Sequence, residues 1–141
     1  MEWSMTRHRL FNPDGMAPAT GFSYGAIASR GRTVHLAGMT GHRPDLSIAN
    51  DIVEQFGDAC RGVAKVIGEA GGTPSDLVSM TIYTSSIDAY RANLEDIGVA
   101  YRGVFGKHFP PMALVGISEL FDPAAKVELL CVAVVPQSDS D

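Results

Sequence analysis

One carboxylate lies in an otherwise apolar stretch near the end of this 141-residue chain. Glu128 stands between Val127 and Leu129, in the run 126–135 that predicts a central strand. An unpaired buried carboxylate is costly, so Glu128 either pairs with a lysine or arginine or lies in a pocket. In a pocket it could accept a proton from water, as a general base does.

A rigid turn precedes the neighbouring strand. Pro110 and Pro111 fix φ and remove two backbone donors, so no helix continues through them. The alternating stretch 112–118 follows at once and predicts a strand whose first residues reach a fixed place. Sites in small α/β domains often lie at such a strand mouth.

Composition excludes several functions. The chain is 45% hydrophobic and 19% charged, which excludes disorder and predicts one domain with some apolar surface buried between subunits. The net charge of −5 argues against nucleic-acid binding. No run approaches the ~20 apolar residues of a membrane span, and no secretory signal is visible. Cys60 and Cys131 fit buried residues of a reducing cytoplasm, where we expect the protein to act.

No metal or cofactor is expected. The four histidines, at 8, 35, 42 and 108, lack a paired metal-ligand spacing, and no phosphate-binding glycine loop occurs. Cys131 has no activating neighbour that would make it a nucleophile.

The predicted elements follow the order strands, helix, strand, helix, two strands. We divide the chain into an N-terminal segment 1–11, with a possible edge strand at 6–11, a single domain 12–136 and a polar tail 137–141. Residues 22–28 and 33–39 are expected to form a hairpin. Asn50 or Asp51 should cap the first helix, which precedes a strand at 77–84. Asp88 should cap the second helix, which follows that strand.

These elements define a two-layer α+β sandwich. Each helix connects two strands that can pair in parallel, and right-handed crossovers place both helices on one face of a mixed sheet. The apolar residues on the opposite face of the sheet then need another layer that buries them. Since Val132 and its neighbours make the last strand apolar on both faces, we expect another copy of the chain to supply it.

An ordered set of short motifs resembles the RidA/YjgF family. The set spans most of the chain and comprises Asn12-Pro13, Tyr24, Val34-His35-Leu36-Ala37-Gly38, Glu69-Ala70-Gly71-Gly72, Asp76-Leu77-Val78, Phe109-Pro110-Pro111 and Lys126-Val127-Glu128-Leu129. The resemblance implies a chorismate-mutase-like fold and a homotrimer whose sheets form a central barrel with three inter-subunit clefts. It also implies hydrolysis of reactive enamines and imines such as 2-aminoacrylate.

The family's site residues map onto this chain with one major departure. The resemblance makes Glu128 the water-positioning catalytic residue and places in the cleft Tyr24, Gly38 and the backbone of Leu114. Met112 occupies the position of the arginine that clamps the substrate carboxylate. Ala37 and Met39 replace a small hydroxylated residue and a glutamine that commonly flank the glycine.

Methionine at the clamp position changes the expected ligand. An arginine grips a carboxylate with two charge-assisted bonds, whereas Met112 offers no donor. The cleft should therefore favour a more apolar ligand, unless Arg30, Arg32, Arg43 or Lys107 substitutes. Three functions stay open: a hydrolase of an apolar enamine or imine, a trimer that binds a small molecule without catalysis, and, least favoured by the acidic charge, an endoribonuclease.

Overall fold

Two β-sheets and a layer of helices make up the computed structural model, which describes residues 7–137. The strands are β1 Arg9–Phe11, β2 Gly25–Ile27, β3 Arg32–His35, β4 Leu77–Thr84, β5 Met112–Gly116 and β6 Val127–Val135. The helices are α1 Ile52–Glu69, α2 Ile87–Ala92 and α3 Leu94–Phe105, with a single 3-10 turn at Pro74–Asp76. None of the described helices combines the length and apolar character that crossing a membrane requires.

The main sheet has the order β3-β6-β4-β5. β6 pairs antiparallel with both β3 and β4, and β4 pairs parallel with β5 across the crossover formed by α2 and α3. The prediction of a mixed sheet in an α+β fold is therefore confirmed. The central place of β6 explains why its sequence is almost continuously apolar.

The first helix packs on β6 to form the core. α1 begins after Asp51, whose carboxylate accepts a hydrogen bond from the Glu54 amide at 3.0 Å, as the capping motif predicts. Cys60 of α1 and Cys131 of β6 are both buried in the core. Burial raises the pKa of each thiol to about 12, so neither is a reactive nucleophile.

The second predicted helix is in fact two. α2 begins after Ser86 rather than Asp88, and the break before α3 falls at Asn93. The Asn93 side-chain amide donates to the Ala89 carbonyl at 2.8 Å and competes with the backbone there. As a result Leu94, the first residue of α3, is 60% exposed.

The predicted hairpin between 22–28 and 33–39 is wrong. β2 pairs with β1, whereas β3 pairs with β6 and ends at His35. The connecting residues are held elsewhere: the Ser29 amide donates to His8 Nδ1 at 3.0 Å. The predicted edge strand at 6–11 is present from Arg9 onward. Its first residue, like residues 138–141 of the predicted tail, lies outside the described part of the chain.

A bulge near the start of β4 changes which residues share a face. The pairing with β6 shifts between Leu77, opposite Ala133, and Ser79, opposite Val132. Leu77 therefore joins Met80 in the core, while Val78 is only half-buried.

The proline turn is fixed through four successive carbonyl groups. The Tyr101 hydroxyl donates to the His108 carbonyl at 2.6 Å, and the Ser23 hydroxyl donates to the Phe109 carbonyl at 2.7 Å. The Ser23 and Met80 amides donate to the Pro110 and Pro111 carbonyls at 3.4 and 3.1 Å. The start of β5 is thereby tied to α3, to the N-terminal loop and to β4.

The sheet face opposite the helices is open. Val127 and Leu129 are fully buried, so the alternating Glu128 and Leu130 point away from the helices, and Leu130 is 43% exposed. On β5 the exposed Val115 belongs to the same face, because it lies opposite Tyr83, which in turn lies opposite Glu128.

We predict that His108 makes folding stability depend on pH. Its Nε2 contacts the Leu77 carbonyl at 2.7 Å, and burial lowers its pKa from the ordinary 6.5. Between the lowered pKa and 6.5 the unfolded chain binds the proton more readily, so stability falls as pH drops through this window.

Urea unfolding at pH 7.5 and at pH 5.5 measures this effect. His108→Gln, whose amide can still donate to Leu77, should reduce the loss of stability at the lower pH. The exposed His35→Gln serves as the control and should keep the wild-type difference. An unchanged difference in His108→Gln would contradict the prediction.

Candidate functional site

The Glu128 carboxylate lies on the open sheet face. Glu128 is half-buried at the second position of β6 and lies opposite Tyr83 of β4. Both flanking residues, Val127 and Leu129, are fully buried on the helix side. The carboxylate thus shares this face with the apolar Leu130 and with the polar Thr81 and Tyr83.

Gly38 makes room for this carboxylate. A Cβ atom added to Gly38 would lie 2.3 Å from Glu128 Oε2 and 2.8 Å from its Cδ. Real Cβ atoms do not approach so closely, so any other residue at 38 would displace Glu128. The structure brings together these two predicted site residues, which lie ninety positions apart in the sequence.

Glu128 has no partner among residues 7–137. No hydrogen bond or ion pair joins it to a described residue, so the alternative of a structural ion pair is not found there. Two of the four residues that could substitute for the family's arginine interact with other groups. Arg43 contacts Asp58 at 3.1 Å, and Arg32 donates to the Ala70 carbonyl at 3.3 Å. An unpaired carboxylate at a surface is free to accept a proton from water.

Of the two residues that flank Gly38, Met39 packs on the helix side and Ala37 is exposed. Met39 exchanges both backbone hydrogen bonds with Leu129, each at 2.8 Å, which ties the Gly38 backbone to β6. Its sulfur lies 2.9 Å from where a Cβ of Gly62 would stand, so the Met39 side chain packs on α1. Ala37 and Gly38 are exposed. Met39 therefore supports the site from the helix side.

Met112 and Leu114 lie on the helix-facing side of β5. Met112 lies opposite the core residue Met80, and Leu114 lies opposite Ile82. Both line a cavity of about 640 Å³ beneath α3. Within one chain the structure therefore separates them from Gly38 and Glu128.

Tyr24 lies in the loop before β2. Its hydroxyl donates to the Ala17 carbonyl at 2.8 Å, and its ring packs edge-on against Phe22 with centroids 5.2 Å apart. Ser23, between them, holds the loop on the proline turn. No hydrogen bond links Tyr24 to Glu128 within the described chain.

A hydrogen-bonded chain of side chains near Gly38 was missed by sequence reasoning. Thr40 Oγ1 lies 2.6 Å from His42 Nδ1, and His42 Nε2 lies 2.7 Å from Asp122 Oδ2. The Ala124 amide and then His42 lower the pKa of Asp122. Such a chain can carry a proton between a hydroxyl and a carboxylate. Nothing in the sequence indicates Asp122, because it lies eighty residues from His42.

No metal site was found. Among residues 7–137, no group of three or more histidine, cysteine, aspartate or glutamate side chains is placed to hold an ion.

The fold has parallels in known proteins. The family model described as endoribonuclease L-PSP matches residues 14–135. Because that match covers most of the chain, the protein belongs to this family, which is the RidA/YjgF/UK114 family. No protein of curated function matches the chain.

Solved structures agree with this assignment. YyfB of Yersinia pestis, a Rid-family protein of unknown function, is 25% identical, with a TM-score of 0.82 over 92% of this chain and 100% of its own. Rv2704 of Mycobacterium tuberculosis is 28% identical, with a TM-score of 0.62 over 91% and 99%. E. coli TdcF with bound serine is 22% identical, with a TM-score of 0.64 over 82% and 95%, and shows the shared fold.

We predict that Gly38→Ala and Glu128 are energetically coupled. The added methyl must displace the carboxylate end of the flexible Glu128 side chain, at a cost of about 0.5 kcal/mol. In a Glu128→Ala background the same substitution should cost almost nothing. Urea unfolding of the four proteins in this double-mutant cycle measures the coupling.

Gly68→Ala provides the matched control. A Cβ at Gly68, inside α1, meets nothing within 4 Å, so this change should be neutral or stabilising in both backgrounds. Equal costs of Gly38→Ala with and without the Glu128 carboxylate would show that the two residues do not press on each other.

Proposed function

We propose that this protein is a hydrolase of small, rather apolar enamines or imines, acting as a cytoplasmic homotrimer with its sites between subunits. The observation that carries the proposal is the unpaired Glu128 carboxylate, held against Gly38 on an open sheet face. Membership of the RidA/YjgF family supports it, because the two residues match the family's glutamate and strand glycine.

Glu128 supplies the base in the proposed reaction. It accepts a proton from water as the water oxygen bonds to the carbon of the C=N group. Glu128 returns this proton to the nitrogen, which gives a carbinolamine. The hydroxyl proton of the carbinolamine then passes through Glu128 to the amino nitrogen, and the C–N bond breaks as the C=O bond forms, so that ammonia leaves and a carbonyl compound remains. An enamine first takes a proton on carbon to become the imine. Backbone amides near Gly38 and Leu114 stabilise developing negative charge.

The proposed trimer follows from the uncovered sheet face. Leu130 and Val115 are exposed there and Val132 is half-buried, although all three are apolar. Burying them against other copies of the chain would remove this surface from water. The three sheets would then form a central barrel, with Tyr24 capping a cleft between subunits.

The substitutions around the site set the proposed ligand polarity. TdcF holds serine, a ligand with a carboxylate. In this chain Met112 stands at the position of the family's clamping arginine, and no described cation pairs with Glu128. We therefore infer a substrate with less charge and more apolar surface than 2-aminoacrylate.

A trimer that binds a small molecule without catalysis is the second candidate. It is favoured by the missing arginine at Met112 and by the apolar cavity that this residue lines. Ribonuclease activity, which the family's description names, is less favoured, because the chain carries a net charge of −5.

We predict that Glu128→Gln abolishes hydrolysis. The amide cannot accept a proton from water, so the enzymatic rate should fall by about a hundredfold or more. The assay follows ammonia release from carboxylate-free imines that a monoamine oxidase generates from isoamylamine or benzylamine, corrected for spontaneous hydrolysis. The exposed Glu119→Gln is the matched control and should keep the wild-type rate.

The same assay separates the two candidates. A wild type that accelerates no imine, yet binds small molecules, would favour the non-catalytic trimer. A wild-type rate that survives Glu128→Gln would remove this residue from the mechanism.

We further predict that Val132→Asp prevents trimer formation. The new carboxylate would enter the proposed apolar interface between sheets without a partner. Sedimentation velocity at micromolar concentration should show trimers for the wild type and monomers for the variant. Val99→Asp, on the exposed surface of α3, should remain trimeric. A monomeric wild type would contradict the proposed assembly.

A further inference from the structure

An apolar cavity lies on the opposite side of the sheet from Glu128. Its volume of about 640 Å³ is within the range of small-molecule sites. The walls come from α3, from β5 and from the loop before β2, and include Phe22, Ile82, Ile97, Phe109 and Met112. The cavity therefore belongs to a single chain and does not need a second subunit.

Ring stacking and hydrogen bonds hold two walls of this cavity in position. Tyr101 stacks on Phe109 with ring centroids 5.6 Å apart, and its hydroxyl is occupied by the His108 carbonyl. Ser23 holds the loop that carries Phe22 on the proline turn. A space bounded by fixed aromatic rings is suited to a ligand with an apolar body.

Arg102 is the sole charged residue among the described residues that line the cavity. Its guanidinium group lies along α3 over Gly98, with Nη1 3.1 Å from where a Cβ would stand. No ion pair or side-chain hydrogen bond joins it to another residue in the range 7–137. The positions one turn away, Gly98, Val99, Phe105 and Gly106, carry no acid that could neutralise it.

We propose that this cavity binds a small monocarboxylate with an apolar body, whose carboxylate pairs with Arg102. The guanidinium fork matches a carboxylate in geometry and charge. The aromatic and aliphatic walls enclose the body, and Met112 keeps the inner wall uncharged, so the ligand can enter in one orientation. The cavity lies on the helix side of the sheet and Glu128 faces the other side, but Met112 and Leu114 belong both to this cavity and to the proposed hydrolytic site.

Two matched probes test the proposal. Calorimetric titration of the full chain with 3-phenylpropionate and with the neutral 3-phenylpropanamide compares ligands that differ only in charge. The wild type should bind the carboxylate about tenfold more tightly than the amide. Arg102→Gln should bind both equally, with the affinity for the amide unchanged. Arg91→Gln, an exposed arginine of α2, should keep the wild-type preference.

Methionine methyl NMR locates the bound ligand. The Met112 methyl should shift on addition of either probe, while the exposed Met16 methyl should not. The proposal is overturned if neither probe binds at millimolar concentration, or if the preference for the carboxylate survives Arg102→Gln. A stationary Met112 signal with bound ligand would overturn it as well.

Discussion

The fold depends on how the carbonyl groups of the proline turn are satisfied. Residues 108–111 present four successive acceptors, while Pro110 and Pro111 contribute no donor. Each carbonyl takes its hydrogen bond from a different group, supplied by α3, by the N-terminal loop or by β4. Segments far apart in the sequence are thereby fixed around the start of β5. The edge of the main sheet and one wall of the cavity are defined by the same few contacts.

Strand alternation divides the residues of the proposed site between two environments. Glu128 and Met112 lie on strands that both pair with β4, yet they point to opposite faces, because Glu128 lies opposite Tyr83 and Met112 opposite Met80. The open face holds the group suited to acid–base chemistry, and the helix-facing side holds the apolar space. A change of one residue in the register of β5 would exchange these environments. The role of the methionine is therefore inseparable from the pairing of its strand.

Sequence reasoning succeeded where the determinants are local. Periodicity gave β4, β6 and α1 closely, Asp51 identified a helix start, and the ordered motifs paired Gly38 with Glu128. It failed where partners are distant. The hairpin prediction failed because β2 pairs with β1 and β3 pairs with β6, so β2 and β3 do not pair with each other. Asn93 broke a helix whose apolar spacing runs on without interruption. His42 contacts Asp122, and Arg102 lines the cavity, only because the chain is folded. The spacing of residues in a single sequence does not show such contacts.

The two buried thiols allow the separation of α1 from the sheet to be measured. Cys60 on α1 and Cys131 on β6 lie in the layer between helix and sheet, and the pKa of each is raised to about 12. In the closed protein they are both inaccessible and protonated, so an alkylating reagent must wait until α1 separates from the sheet. The rate of alkylation then measures the frequency of that separation, without a label or a substitution. Oxidants meet the same barrier, which protects the centre of the fold from damage under stress.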